Sequence, residues 1–143
     1  MNDVFTVPPV YFPTTGEAWR WLLPGYLFTI AVETPVLLLL LSRAHRWPRR
    51  LAAGAWLTAC SYPVVVVALP LLLGLEPRAR YLAVAETFAP LSECVLFALA
   101  FHAAGTRRAD RWRDFAAITL ANLASFLLGE WLGQRGWFDW LAG

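Results

Sequence analysis

Glu33 and Glu93 are two glutamates that lie inside long runs of apolar residues. An ionisable side chain near the centre of a lipid bilayer costs at least about 3 kcal/mol, so such residues pair with another group and often mark ion or proton pathways. Glu86 precedes Glu93 by seven residues and therefore lies on the same face of a helix. These three carboxylates predict a site for a proton or a cation.

No basic residue of this chain is placed to neutralise these acids. The chain has no lysine, and all of its arginines lie outside the apolar runs. Each buried acid must therefore be protonated, hold a cation from solution, or meet a basic residue from another subunit. Carboxylate oxygens suit a divalent cation such as Mg²⁺ or Ca²⁺, and the sequence predicts no cofactor beyond such a cation or a proton. In a further interpretation, the protonated acids only hold helices together, at about 0.6 to 2 kcal/mol per hydrogen bond.

Four apolar runs must position these acids, and they cover residues 21–41, 51–75, 81–104 and 115–132. A hydrocarbon core about 30 Å thick needs about 20 apolar residues in a helix, so each run is long enough to cross it. Of the 143 residues, 59% are hydrophobic and 15% are charged. The sequence therefore predicts an all-α, membrane-embedded four-helix bundle that forms a single domain over residues 1–143.

The short segments between the runs indicate the orientation in the membrane. Arginines are concentrated at positions 43–50 and again at 107–113. Because short cytoplasmic loops are enriched in arginine, we expect both of these segments in the cytoplasm and both termini outside. No cleaved signal peptide is evident before residue 21.

Polar residues in the second and fourth runs match the two glutamates in depth. Glu33 and Glu93 each lie twelve residues into a run, and the return runs carry polar pairs seven and ten residues in. At about 1.5 Å per residue these positions fall near one level. The sequence predicts a polar layer with these members: Glu33, Thr58, Ser61, Glu93, Asn122 and Ser125. The matched spacing favours a duplicated helical hairpin with parallel repeats, and chance similarity between apolar runs is the alternative.

Three local patterns accompany these residues: an acid two positions before a proline in the first run, a polar-x-x-Ser-aromatic step in the return runs, and E-x₆-E in the third run. Together they resemble a group of small, uncharacterised four-helix bacterial inner-membrane proteins. The matching residues are Glu33, Pro35, Glu93, Asn122 and Ser125. The resemblance implies the four-helix topology over the whole chain and implies no activity.

Motifs of common enzyme classes are missing from the sequence. It contains no phosphate-binding loop, dinucleotide fingerprint, hydrolase elbow or zinc-protease motif, so an intramembrane enzyme that uses the paired acids is only a third choice. His45 and His102 fall near the ends of runs, where we expect solvated loop or interface residues. The net charge of +2 is small and the arginines flank the runs, which favours lipid headgroups over nucleic acid as their partner.

These features favour a multi-pass component of proton- or cation-linked transport. Four short helices enclose little more than a packed core, so we expect a homo-oligomer or a place in a larger membrane complex. The alternative is a non-catalytic accessory subunit of such a complex. The lysine-free, arginine- and tryptophan-rich composition is typical of a high-GC bacterium, which makes the bacterial inner membrane the expected location.

Overall fold

The computed structural model of the chain describes residues 15–73 and 77–137, and those residues are helical with short connections. Helix α1 covers Thr15–Leu40. A second rod consists of α2 (Trp47–Pro63), a π-helical segment (Val64–Ala68) and α3 (Leu69–Leu73). Helices α4 (Arg78–Phe101) and α5 (Arg108–Gly133) complete the described part, in which no strand occurs. The predicted all-α class is confirmed.

Each of the four rods is long and apolar enough to cross a membrane. Their outward faces carry large aliphatic side chains with little cover, for example Leu39, Leu72 and Leu99, which are 77%, 78% and 79% exposed. Apolar patches of this extent face lipid or another protein rather than water. Four such rods are typical of a multi-pass membrane protein.

At the ends predicted to be cytoplasmic, α2 and α5 begin before the predicted runs, whereas α1 ends at Leu40 and α4 at Phe101, one and three residues before theirs. Helix α2 begins at Trp47, four residues before the predicted run, because Pro48 occupies its first turn and suits that position. Helix α5 begins at Arg108, seven residues before the fourth run. Arginine is a good helix former, so the later part of each basic segment belongs to a helix, while its first residues form the connection. Residues 74 and 75, the end of the predicted second run, lie outside the described residues.

The bundle is square, with each rod next to two others. Helix α1 packs against α2 and α5, and α4 packs against the same two helices. Helices α1 and α4 therefore face each other across the diagonal. Since Glu33 lies on α1 and Glu93 on α4, both carboxylates point inward from opposite corners and can reach α2 and α5 alike.

An apolar core fills the half of the bundle toward the end of α1. The fully buried members of this apolar core are Leu37, Leu41, Ala53, Leu57, Phe97, Ala117, Ile118 and Ala121. Helices α1 and α2 approach closely beside it, because a Cβ atom added at Gly54 would lie 2.4 Å from Oγ1 of Thr34. Small residues allow such close packing between membrane helices, where no hydrophobic effect drives association.

The π-helical segment leaves one backbone carbonyl to a side-chain donor. The N–H of Leu69 donates to the carbonyl of Val64, and Pro70 has no N–H to offer the carbonyl of Val65. The hydroxyl of Tyr81 donates to that carbonyl instead, at 2.9 Å. Widened turns of this kind often lie at functional sites, and Val65 lines the cavity described below.

Candidate functional site

The carboxylate of Glu33 is 2% exposed and lies between two hydroxyl groups. Oγ1 of Thr58 lies 2.9 Å from Oε2, and Oγ of Ser125 lies 2.7 Å from Oε1. Thr58 belongs to the neighbouring helix α2, and Ser125 belongs to α5. One acid thus links three of the four rods.

The carboxylate of Glu93 has the same degree of burial and a matching arrangement. Oγ of Ser61 on α2 donates to its Oε1, and Nδ2 of Asn122 on α5 donates to its Oε2 at 2.7 Å. On α2, Glu33 is hydrogen-bonded to Thr58 and Glu93 to Ser61. On α5, Glu33 is hydrogen-bonded to Ser125 and Glu93 to Asn122.

The six residues predicted to form one polar layer lie together in the structure. Thr58 and Ser61 are three residues apart on one helix, which is about 4.5 Å of rise, and they hold the two different acids. Glu33 and Glu93 consequently lie at nearly the same level between the four rods, as the spacing from the run ends predicts. The sequence does not indicate which hydroxyl meets which acid, because that depends on the diagonal placement of α1 and α4.

The hydroxyl partners of Glu33 can serve either protonation state of this acid. Oγ1 of Thr58 is also 2.8 Å from the carbonyl of Gly54, and Oγ of Ser125 is 2.9 Å from the carbonyl of Asn122. A hydroxyl has one proton and two lone pairs. When Glu33 is ionised, both hydroxyls donate to it. When Glu33 is protonated, one hydroxyl accepts from it and donates to its own helix backbone, so no hydrogen bond is lost.

The amide partner of Glu93 is fixed in one orientation. Nδ2 of Asn122 contacts Oε2 of Glu93 and also the carbonyl of Ile118 at 3.1 Å, so both of its hydrogens have acceptors. An amide nitrogen cannot accept a hydrogen bond. Oε2 of Glu93 therefore stays an acceptor, and only Oε1, beside Ser61, has a partner that could receive a proton.

A cavity of about 320 Å³ leads from the polar layer toward the first turns of α1. Its wall includes Glu33 and Glu93 at the inner end and Glu86 and Glu130 nearer the mouth. No basic residue is among the described residues that line it. The cavity gives water or a small cation an acidic route to the polar layer from one side of the bundle.

Glu86 lies apart from the polar layer. It precedes Glu93 by seven residues on α4, or about 10 Å along the helix, and it lines the cavity. Among the described residues, Glu33, Glu86 and Glu93 do not form a group of ligand atoms close enough to share one ion. Glu130, near the mouth, is paired with Nη2 of Arg78 at 2.6 Å.

The apolar core closes the other side of the polar layer. Leu37 and Phe97 each lie four residues beyond Glu33 and Glu93 on the same helices, and both are at most 1% exposed. Ile118 fills the same level from α5 and is fully buried. The cavity therefore ends at the carboxylates.

A second polar cluster lies beyond the apolar core, where α1 ends. Nε2 of His45 is 2.9 Å and Nε2 of His102 is 3.1 Å from the same atom, Oδ2 of Asp114. The side chains of the two histidines are 3% and 5% exposed, and that of Asp114 is fully buried. Of the two predicted settings, a solvated loop or an interface, the solvated one is wrong for both histidines, because α5 begins early and brings Asp114 into contact with them.

Arginines near this end donate to backbone carbonyls in the last turn of α1 and in the connection that follows it. Arg50 donates to the carbonyls of Leu38, Ser42 and His45 at 2.9 to 3.0 Å, and Arg113 donates to the carbonyl of a last-turn residue of α1 at 2.9 Å. The last carbonyls of a helix lack intrahelical donors and carry partial negative charge, so a guanidinium satisfies both needs. These two arginines therefore contact protein backbone, where the sequence suggested lipid headgroups.

Comparison with protein-family models, with curated proteins and with solved structures found no match for this chain. The functional argument accordingly depends on the geometry of the two polar clusters and the cavity.

Proposed function

We propose that this protein is a component of proton-linked transport in the bacterial inner membrane, and that Glu33 takes up and releases the proton. The observation that carries the proposal is the one-sided cavity that ends at two buried carboxylates. A group at the end of such a cavity can exchange protons with one side of the membrane while the apolar core blocks the other. Transport then needs a second state in which the block is relieved.

A proton fits the polar layer better than a metal ion does. Each of the four oxygens of Glu33 and Glu93 already has a side-chain hydroxyl or amide hydrogen-bond partner. A cation bound there would face the donor hydrogens of Asn122, whose orientation is fixed by the backbone. A proton on Glu33 needs only the rotation of one hydroxyl, as Thr58 and Ser125 each have a backbone acceptor in reach.

The roles of the two acids differ in this proposal. Glu33 is the exchanging group because both of its partners can reverse their hydrogen bonds. Glu93 holds α2 and α5 in place through its hydrogen bonds with Ser61 and Asn122. Other charged groups facing the cavity are Glu86 and Glu130, the latter paired with Arg78, and these set the charge at the mouth.

The matching hydrogen-bond pattern around the two acids supports the interpretation as a duplicated hairpin. In this interpretation Glu33 corresponds to Glu93, Thr58 to Asn122 and Ser61 to Ser125, and each hydrogen bond of one acid has its counterpart at the other. Parallel repeats of this kind place a site at their interface. In this interpretation, Asn122 in the second half stands where Thr58 stands in the first, and its amide makes Glu93 less able than Glu33 to exchange a proton.

By the arginine rule the cavity opens outside and the histidine cluster faces the cytoplasm. A reporter that is active only in the cytoplasm, fused after Gly143, should be silent. Strong activity of that fusion would reverse the orientation and the side from which Glu33 is reached.

Proton flux in vesicles tests the proposal. The purified full-length chain is reconstituted in vesicles with a pH-sensitive dye inside, and an inside-negative potential drives proton uptake. Glu33→Gln keeps the shape of the protonated acid but cannot titrate, so it should abolish any flux of the parent protein. Thr119→Val is a matched control, since Thr119 donates to its own helix backbone but is exposed on the outer face of α5.

A contrary result separates the alternatives. If the parent and Glu33→Gln conduct equally, Glu33 carries no proton and the transport proposal fails. If the parent alone conducts nothing but co-purifies with a larger membrane complex that Glu33→Gln disrupts, the protein is an accessory subunit whose acid pairs with a partner. A homo-oligomer would instead be recovered from the parent chain alone.

A further inference from the structure

The histidine cluster at the end of α1 is independent of the polar layer. Asp114 precedes Asn122 by eight residues on α5, or about 12 Å, and the apolar core lies between them. Its three members come from three separate places: His45 from the connection after α1, His102 from the end of α4, and Asp114 from the second turn of α5. Their ligand atoms all lie within 4.8 Å of one another.

The carboxylate of Asp114 is oriented by the chain for contact with both imidazoles. The backbone N–H of Ser42 donates to Oδ1 at 2.7 Å and its hydroxyl donates to Oδ2 at 3.4 Å, so Ser42 holds the carboxylate with Oδ2 beside the two Nε2 atoms. Metal-binding side chains are commonly positioned in this way by hydrogen bonds to their remaining atoms. The carboxylate is thus held by backbone and needs no imidazole to fix its direction.

Aromatic packing fixes the two rings. The ring of His45 meets Phe97 edge to face with centroids 5.1 Å apart, and the ring of His102 meets the same phenylalanine at 5.4 Å. The histidine rings also stack on each other at 6.1 Å with an angle of 21°. Nδ1 of His45 is buried and has no hydrogen-bond partner among the described residues, so packing and the Nε2 contact alone hold that ring.

Neighbouring arginines do not compete for Asp114. The nitrogens of Arg50 donate to three backbone carbonyls, and Nε of Arg113 donates to the carbonyl of Leu40. The buried carboxylate has the two imidazoles as its side-chain nitrogen partners. Two imidazole nitrogens and one carboxylate oxygen are the ligands found in three-ligand zinc and iron sites.

We propose that His45, His102 and Asp114 bind a divalent transition-metal ion of the Zn²⁺ class through the two Nε2 atoms and Oδ2. The ion takes the place of the protons that bridge these atoms in the present geometry. It joins the α1–α2 connection to α4 and α5, and so ties together the end of the bundle. Mg²⁺ and Ca²⁺ prefer oxygen ligands, so a site with two imidazole nitrogens does not suit them.

Direct metal binding tests this site without any transport assay. The full chain in detergent is stripped with a chelator and dialysed against Zn²⁺ alone, and bound metal is measured per chain. Co²⁺ is added in a second sample, where its visible absorption reports coordination by protein ligands. The parent should bind one ion per chain, and Zn²⁺ should raise its thermal unfolding midpoint.

Ligand variants assign the ion to the cluster. His102→Ala should weaken Zn²⁺ binding by more than the roughly 10- to 100-fold that loss of a supporting residue causes, and should abolish the thermal shift. Asp114→Ala should do the same, and if that variant does not fold, His102→Ala decides the question. Asp110→Asn is the matched control, one turn earlier on α5, where Asp110 pairs with Arg107. It should bind as the parent does.

Two results would overturn the proposal. In the first, the stripped parent binds neither Zn²⁺ nor Co²⁺. In the second, His102→Ala retains the ion while Glu33→Gln or Glu93→Gln loses it, which would assign the metal to the polar layer and count against proton exchange there. Loss of proton flux in Glu33→Gln with unchanged Zn²⁺ binding would leave both proposals standing.

Discussion

Truncation of the two buried acids should have unequal effects on stability, although both are glutamates with 2% exposure. Glu33→Ala removes the hydrogen bonds to Thr58 and Ser125, at about 0.6 to 2 kcal/mol each, or about 1 to 4 kcal/mol together. Both hydroxyls retain a backbone carbonyl as acceptor, so neither is left unsatisfied. The loss should therefore fall near the lower end of this range.

Glu93→Ala removes the same number of bonds and also leaves one amide hydrogen of Asn122 without an acceptor. A buried donor without a partner costs a further 1 to 3 kcal/mol, approximately. Because the two truncations delete the same atoms, the cavity terms are similar, and Glu93→Ala should be the more destabilising by roughly that amount. Glu33→Gln and Glu93→Gln can each donate to a hydroxyl and accept at the other oxygen, so both should lie within about 1 kcal/mol of the parent.

Unfolding in mixed micelles measures these differences. The fraction folded is followed by circular dichroism or by tryptophan fluorescence as a denaturing detergent is added, with all four variants at one protein concentration. The reasoning about hydroxyl and amide partners is refuted if Glu33→Ala is as destabilising as Glu93→Ala, or more so. Asn122→Ala in the Glu93→Ala background should recover part of the extra loss, because it removes the unsatisfied amide.

Two further predictions concern helix packing. Gly54→Ala should destabilise the fold by about 1 to 3 kcal/mol, because its Cβ would lie 2.4 Å from Oγ1 and 3.1 Å from Cα of Thr34. Gly129→Ala is the control and should not destabilise the fold, since the nearest contact of its Cβ is at 3.6 Å. Equal stability of the two variants in micelle unfolding would contradict the close approach of α1 and α2. Tyr81→Phe should lower the free energy of unfolding by about 1 kcal/mol or more, because the carbonyl of Val65 loses its hydroxyl donor. Faster amide hydrogen exchange, confined to the π-helical segment, should accompany this loss. Unchanged exchange there would mean that another donor bonds to this carbonyl.

The composition of the polar layer could be predicted because helix rise is constant. Counting residues from the ends of the apolar runs placed Glu33 and Glu93 at one depth with the polar residues of the return runs. Depth alone does not say which rods are neighbours. The crossed pattern, in which Ser125 meets Glu33 and Ser61 meets Glu93, follows from the diagonal positions of α1 and α4, which no spacing in the sequence encodes.

The histidine cluster could not be predicted for a related reason. Its members come from three separate segments and share no ligand spacing, and the two histidines lie near the ends of apolar runs, where a loop or interface position is expected. One signal was present: Asp114 lies next to an apolar run in a segment otherwise rich in arginine, where an acid that faces inward needs a partner. The extension of α5 to Arg108 buried it, and helix ends are the least predictable part of an assignment.

Infrared difference spectroscopy of the protein in membranes tests the central claim most directly, because the carbonyl stretch of a protonated carboxyl group is distinct from that of a carboxylate. Spectra are recorded as the external pH is changed, for the parent and for both single Gln variants. We predict a band that rises as pH falls, disappears in Glu33→Gln and persists in Glu93→Gln. A band that persists in Glu33→Gln, or one that only Glu93→Gln removes, would contradict the assignment of Glu33 as the exchanging acid.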